Sequence, residues 1–405
     1  MFLNRRSFRV AVAAVTLLAI SLAACSPASN ARADRDAHQS QSVLLAAKSQ
    51  GLTAAESVSA QTELRNRLQT LANEAVRSGL VGVSLAVHHP REGMILVTAG
   101  NSDVERGTSV TSADVARIAS SSKVFIGTLV LQLVDEGRIT VDDPIARYVS
   151  SEHAEHIANA RVATIAQLLT HSSGIADYYN GGYFGYDVPD KMDFTIDEAL
   201  RYAWDVRAEF QPGQRYGYSN TNTLLLGAMI ERVTGRGVAQ VLRERILAPL
   251  GLRNIYTEVF EPVPVRIVRG YSFEGRRIVD VAADKIAGGG LPDGGLVSSP
   301  EAMVQFVRGL LADKRLLSAR SLEAMTTVHV RDRAEDIAIG YHLFVESTRQ
   351  GMRYTHDGAL SGYLSFMAHY PASDTTFAAW TNSRGDDQEQ AWESFIDDVS
   401  RSILR

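Results

Sequence analysis

Ser120-Ser121-Ser122-Lys123 opens onto the apolar run VFIGTLVLQLV at residues 124–134. Such a run reads as a buried helix, with the four residues before it in the first turn. Positions i and i+3 share a helix face, so the Ser120 hydroxyl and the Lys123 amine can meet. A serine hydroxyl is a weak nucleophile until a base takes its proton, and a lysine does so where its surroundings lower its pKa. The positive end of a helix dipole disfavours an ammonium and favours a developing anion. Ser and Lys are common, so the weight of S-x-x-K depends on the rest of the chain.

Two further clusters add to it. Residues 211–222, QPGQRYGYSNTN, carry Tyr218-Ser219-Asn220 just before a second apolar helix expected at 223–230. His356-Asp357-Gly358 follows a strand-like run at 352–355, and another such run fills 363–370. In this order and with these flanks, the clusters resemble the motifs of the serine β-lactamase and penicillin-binding protein superfamily. The resemblance is to the branch holding class C β-lactamases, D-Ala-D-Ala carboxypeptidases, D-aminopeptidases and esterases. Tyr-Ser-Asn stands where a sister group has S-D-N, and His-Asp-Gly where it has K-T-G. Arg117-Ile118-Ala119, LLTHSSG at 168–174 and GGLVSSP at 294–300 extend the resemblance over roughly residues 82–380. The last two segments read as structural. Ser298-x-x-Glu301 with Pro300 in the first turn is a helix start of capping-box type.

The resemblance implies a role for each residue. Ser120 would form an acyl-enzyme, and Lys123 would accept or relay its proton. Tyr218 is a second candidate base and would return a proton to the leaving group; the two titrate as a coupled set, so the resting base stays open. Asn220 would hydrogen-bond Lys123 and the substrate amide. His356, where many relatives have lysine, would pass protons or place positive charge near Tyr218. Gly358 would let its strand approach the ligand without a side chain in the way. The backbone N–H groups of Ser120 and Ala359 would form the oxyanion hole.

Asp357 departs from the pattern. A Thr or Ser there commonly donates to a substrate carboxylate, whereas an ionised Asp donates nothing and repels an anion. Arg353 or Arg384 could compensate, but both read as solvent-facing charges. The expected function is a D-Ala-D-Ala carboxypeptidase-like serine hydrolase acting on cell-wall-type D-amino-acid peptides. An esterase or weak β-lactamase is the alternative within the enzyme class, and a non-catalytic penicillin or cell-wall-fragment binding protein is the third reading. The expected partners are peptidoglycan stem peptides, β-lactams or small esters.

The N-terminus carries Arg5, Arg6 and Arg9, then an apolar run at 10–24. A basic flank and a short apolar core are the layout of a secretory signal. Leu22-Ala23-Ala24-Cys25 resembles a bacterial lipobox, and Cys25 is the single cysteine, which excludes a disulfide within the chain. Arg5-Arg6-x-Phe8 resembles a twin-arginine signal. Residues 25–60 are rich in Ser, Ala and Gln and read as a flexible tether. The expectation is a signal peptide at 1–24 and an exported protein, lipid-anchored through Cys25 in the bacterial envelope, on the periplasmic side of the inner or the outer membrane.

A formal net charge of −5 with both signs mixed shows no basic stripe of the kind nucleic acid requires. There is no H-E-x-x-H, and no metal or cofactor is expected. No G-x-S-x-G occurs, which removes the α/β-hydrolase elbow. His153 and His156, beside Glu152, read as one face of a solvated helix.

Residues 61–405 read as one hydrolase domain. Leu64, Leu68, Leu71, Ala75 and Val76 recur at helical spacing over 61–78. Alternation predicts strands at 81–88 and 94–98, then at 337–346, 352–355, 363–370 and 375–381, with a closing helix at 388–404. Helical patterns dominate from 120 to about 327. The fold class is therefore α+β: one antiparallel sheet built from both ends of the chain, with an inserted, mainly helical lobe. The three motifs would meet in the cleft between them.

Overall fold

The computed structural model describes residues 54–181, 195–275, 277–282 and 289–404. The signal segment, Cys25 and most of the expected tether lie outside the described residues. The first helix, α1 (Ala54–Arg77), begins inside that expected tether, so residues 54–60 are helical instead. They contain no Gly or Pro and continue directly into the amphipathic stretch, so nothing in them stops the helix.

Among the described residues, nine antiparallel strands form one sheet. They are β1 (Gly82–His89), β2 (Gly93–Asp103), β3 (Thr108–Ser109), β4 (Val330–Asp332), β5 (Ile337–Ile339), β6 (Phe344–Thr348), β7 (Gly351–Leu360), β8 (Tyr363–Tyr370) and β9 (Thr375–Thr381). Their order is β3-β2-β1-β9-β8-β7-β6-β5-β4, so β1 pairs with β9 and the two ends of the chain close the centre of the sheet.

Alternation sorts the side chains of the sheet. Leu364, Phe366, Ala368 and Tyr370 of β8 face a core completed by Leu68 of α1 and by Trp392, Phe395 and Val399 of the last helix, Asp386–Ile403. Met367 faces the opposite way, into the larger core of the helical lobe. That lobe is built on α2 (Lys123–Asp135), α3 (Asn220–Thr234) and α4 (Pro300–Val307). The Phe125 ring of α2 stacks on Phe306 of α4.

The lobe is less purely helical than its pattern predicts. Ala116–Arg117, Leu296–Ser298 and Ile255–Thr257 form a small sheet at its root. Tyr271–Glu274 and Arg277–Asp280 form a hairpin that pairs with Ser383–Arg384. The expected strand at 337–346 is two strands, β5 and β6. Gly340 lies in the connection, where a Cβ would come within 2.0 Å of the Met325 carbonyl oxygen. The cap of α4 is Ser299, which accepts from Ala302 N, rather than Ser298. His153 is no solvated residue: its buried ring bonds Asp197 and accepts from Trp204.

Strand β7 runs well past the expected 352–355. Asp and Gly are poor strand formers and hid its second half. Cross-strand pairs with β8 carry it on: His356 with Met367, Asp357 with Phe366, Gly358 with Ser365. β6 pairs with β7 only as far as Thr355, so the register pairs residues 356–360 on the β8 side alone. The third motif therefore lies along an opened edge.

Candidate active site

The turn that carries Ser120 is a short 3-10 helix, Ala119–Ser122, followed at once by α2. The expected single helix is thus two segments, but Ser120 and Lys123 remain on one face. Ala119 has φ +46°, a left-handed conformation that L-residues rarely adopt. Neighbouring elements hold the turn there. Ser365 Oγ donates to the Ile118 carbonyl at 2.7 Å and bonds Ser121 Oγ at 2.9 Å. Ile118 N donates to Leu296 O at 3.0 Å. Gly358 passes directly beneath, where a Cβ would sit 2.2 Å from Ile118 O and 3.0 Å from Ser120 N. Only a glycine lets β7 come so close to the turn.

Ser120 Oγ lies between two groups from different segments. Lys123 Nζ is 3.0 Å away, and the Tyr218 hydroxyl donates to Oγ at 2.9 Å. Lys123 is fully buried, and its amine also donates to the Asp293 carbonyl at 2.5 Å. Burial brings the Lys123 ammonium down to about 8, against the opposing charges of Asp293, Asp177 and Asp357. The packing around Tyr218 pushes its phenol well above the usual range. Lys123 is therefore the more readily available base, and Tyr218 is held as a neutral donor. A lone pair on Nζ faces a hydroxyl proton, and a phenolic proton faces the same oxygen, which is what activation and protonation of a leaving group require.

Among the described residues no hydrogen bond joins Asn220 to Lys123. Asn220 begins α3, and both its backbone N–H and its side-chain amide donate to Asp177 Oδ2, at 3.0 and 2.9 Å. Asp177 thus holds the Asn220 NH₂, which leaves the amide oxygen as the acceptor for a donor in the cleft. His356 is buried, its ring 5.2 Å from that of Phe344, and its Nδ1 donates to the Asp357 carbonyl at 2.7 Å. Phe344 belongs to the cluster against which Tyr218 also packs. Asp357 is exposed, on the opposite face of the pleat from His356 and Gly358. Its charge still raises the pKa of both Lys123 and Tyr218. Ala359 follows Gly358 along the opened edge of β7, on the same strand that skirts Ser120 N.

Of the two arginines offered as compensation for Asp357, Arg384 keeps the expected exposure and Arg353 does not. Arg353 is buried against Glu346 at 2.7 Å and also donates to Tyr370 Oη and Ser400 Oγ. Arg384 pairs with Glu389 at 2.9 Å.

Four residues of the site escaped the motif reading: His171, His342, Asp177 and Asp293. The His171 ring stacks on Tyr218 and on His342, with centroids 4.4 and 5.2 Å away. Ser173 Oγ donates to Asn222 Oδ1 at 2.6 Å, which turns the Asn222 NH₂ toward His171 Nδ1 at 3.2 Å. Ser219 N also donates to that Nδ1, at 3.3 Å. A nitrogen accepting two N–H bonds carries no proton, so His171 is the neutral tautomer with hydrogen on Nε2. Burial holds its pKa far below 6.5 in agreement. His342 donates from Nδ1 to the Lys123 carbonyl at 3.1 Å. Its spacing from Lys123 offered no signal, whereas His171 lay inside the LLTHSSG segment that reads as structural.

The described geometry has counterparts. Residues 64–399 match the family model described as Beta-lactamase. Penicillin-binding protein 4 of Amycolatopsis lactamdurans is 29% identical over 310 residues, 74% of this chain and 78% of the relative. Esterase EstB of Burkholderia gladioli is 31% identical over 201 residues, 47% of this chain and 51% of that one. The D-amino acid amidase of Ochrobactrum anthropi SV3, solved with L-phenylalanine amide, superposes with TM-score 0.74 at 27% identity, covering 84% of this chain and 98% of the amidase.

Proposed function

This chain belongs to the beta-lactamase family of serine hydrolases, and from that premise we propose that it cleaves D-amino-acid peptides through an acyl-enzyme on Ser120. The observation that carries the reading is the pair of contacts on one oxygen: Lys123 Nζ at 3.0 Å and Tyr218 Oη at 2.9 Å from Ser120 Oγ. Neutral Lys123 takes the Ser120 proton as Oγ bonds the substrate carbonyl carbon. The C–N bond then breaks, and Tyr218 gives its proton to the departing nitrogen while Lys123 reprotonates the phenolate. Water, deprotonated by the same groups, releases the acid. The N–H groups of Ser120 and Ala359 hold the developing oxyanion, a role supported by the approach of Gly358 to Ser120 N. Each such donor is typically worth about 2.7–4 kcal/mol in acyl transfer. His356 supports Tyr218 through the packing of Phe344, whose cluster both rings meet.

D-Ala-D-Ala carboxypeptidase-like cleavage is the first activity to assay, in line with the penicillin-binding relative. A second reading, ester or D-amide hydrolysis, draws on Asp357. Its negative charge disfavours a substrate with a free terminal carboxylate. The similarity to an esterase and to a D-amino acid amidase supports that reading. In the cell we propose an exported protein anchored by lipid on Cys25, which the layout of residues 1–25 supports.

The test is intact mass of the full-length protein over time with benzylpenicillin, diacylated D-Ala-D-Ala, a D-amino acid amide and a p-nitrophenyl ester, with Ser120→Ala as control. Expected is turnover of at least one substrate that vanishes in Ser120→Ala. Cleavage of the amide or ester but not of D-Ala-D-Ala selects the second reading. Turnover that survives Ser120→Ala overturns the acyl-enzyme. Incorporation of labelled fatty acid that is lost in Cys25→Ala tests the anchor.

A further inference from the structure

Asp293 is a buried acid that the reaction above does not use. It is 2% exposed and precedes Gly294-Gly295, whose following strand carries Leu296, the acceptor for Ile118 N. Its backbone carbonyl accepts the Lys123 amine at 2.5 Å. Its carboxylate is oriented separately: Tyr178, itself fully buried, donates to Oδ2 at 3.1 Å. Oδ1 is buried and has no hydrogen-bond partner among the described residues. Desolvating a carboxylate enclosed this way is costly, and the single Tyr178 bond offsets only part of it. What it has beside it is the catalytic amine.

We propose that Asp293 is a positioning residue whose buried carboxylate sets the proton occupancy of Lys123, and thereby the pH at which Ser120 can be activated. The proposal rests on the reading of Lys123 as the base. The groups around the amine act in two directions. Asp293, Asp177 from the 171–181 segment and Asp357 from β7 favour the ammonium. Burial opposes them; the rings of His171 and His342 stand within electrostatic reach of Lys123, and His356 within reach of both rings. Among the three acids Asp293 has the strongest hold on the lysine. Burial raises Asp293 itself to about 6, against the pull of Lys123 and the Tyr178 hydroxyl. Between about 6 and 8 the pair is therefore an ammonium and a carboxylate, and above that the lysine gives up its proton. Its free lone pair then faces Ser120.

The sign follows. Removing the Asp293 charge lowers the Lys123 pKa, so the acid limb of acylation moves to lower pH. A neighbouring charge commonly moves a pKa by about 1–3 units, and one unit gives about tenfold more free amine below the limb. The experiment is direct. The full chain has five lysines. It is labelled with ¹³Cε-lysine, the Lys123 signal is assigned by its loss in Lys123→Gln, and its titration is followed in the native protein, in Asp293→Asn and in Tyr178→Phe. Acylation of Ser120 by the best substrate is measured over the same pH range.

Expected is a Lys123 midpoint lower by one unit or more in Asp293→Asn and by a smaller step in Tyr178→Phe, which weakens the carboxylate's hold on its charge. The acid limb of acylation moves by the same amount. An unchanged Lys123 midpoint in both variants overturns the inference while leaving Ser120 acylation standing. A shifted midpoint with an unmoved acid limb upholds Asp293 as the control on Lys123 and overturns Lys123 as the base. Should Asp293→Asn not fold, Asp293→Ser decides in its place, a midpoint equal to the native one being the overturning result.

Discussion

The imidazole of His171 lies face to face with the phenol of Tyr218, their centroids 4.4 Å apart and their planes 25° from parallel. His171 has φ +51°, as does His342 behind it, and Ala119 beside the nucleophile has φ +46°. Left-handed backbone at a non-glycine residue costs on the order of 1–3 kcal/mol and persists where surrounding structure imposes it. Three such residues around one lysine, tyrosine and serine mark where the fold holds its chemistry under strain.

That stack makes a prediction about His171. His171→Ala removes both the ring under Tyr218 and the acceptor for Ser219 N and Asn222 Nδ2. Loss of alignment at a reacting group can cost roughly 100-fold in rate. We expect kcat to fall by about that factor with KM changed much less. His171→Asn, which tolerates positive φ and offers an acceptor oxygen, should recover a large part. Steady-state kinetics on a p-nitrophenyl ester decides; equal losses in the two variants would argue that only the ring matters.

Gly358 gives a second prediction. A Cβ there would overlap Ile118 O at 2.2 Å, and the atom it meets is backbone, which cannot swing aside. Gly358→Ala should push β7 from the Ser120 turn and reduce kcat by more than about 100-fold, the scale attached to a lost oxyanion donor. The fold should survive, since the Asp357 and Ala359 neighbours keep their pairing with β8. Acylation rate together with circular dichroism separates the two effects.

The buried histidines predict an acid weakness. His342 is held at about 3, and His369 and His89 at about 4, all chiefly by burial. Their folded pKa values lie below the ordinary 6.5, so their contribution is complete above 6.5 and is lost as pH falls toward 3–4. At about 1.4 kcal/mol per unit, His342 alone accounts for roughly 3 kcal/mol by pH 4. Asp293, raised to about 6, works in the opposite sense and recovers part of this. The urea midpoint should therefore drop between pH 7 and pH 4.5. His342→Asn, which keeps the positive φ without titrating, should show a visibly smaller drop; an identical drop would refute the assignment.

Arg353 should behave as structure and not as a substrate clamp. It sits behind the sheet with Glu346, and breaking one partner of a buried pair typically costs about 3–5 kcal/mol. Arg353→Met should lower stability on that scale while leaving KM for the surviving protein within about twofold. Arg384→Ala, at a half-exposed pair, should change stability by about 0–1 kcal/mol. A large KM effect from Arg353→Met at preserved stability would contradict this.

The local sequence carried much of the fold. β8 and β9 have the bounds that alternation predicts, and the helices around residues 64–76 and 388–403 follow their apolar spacing. Those patterns are legible because each element buries one face, and the period of that face is written in neighbouring residues. Boundaries failed where composition and pairing disagree: the Asp-Gly half of β7, and the join at Gly340 between β5 and β6.

What the sequence by itself determined is the set of reactive side chains and the face that Ser120 and Lys123 share, since one helical turn is a local fact. What only the tertiary structure decided is their surroundings. Tyr218 reaches Ser120 across 98 residues, Asp293 reaches Lys123 across 170, and Asn220 donates to Asp177 across 43. The physical reason is that a pKa and a hydrogen bond depend on distance and burial in space. Neither has a period along the chain for a sequence to display.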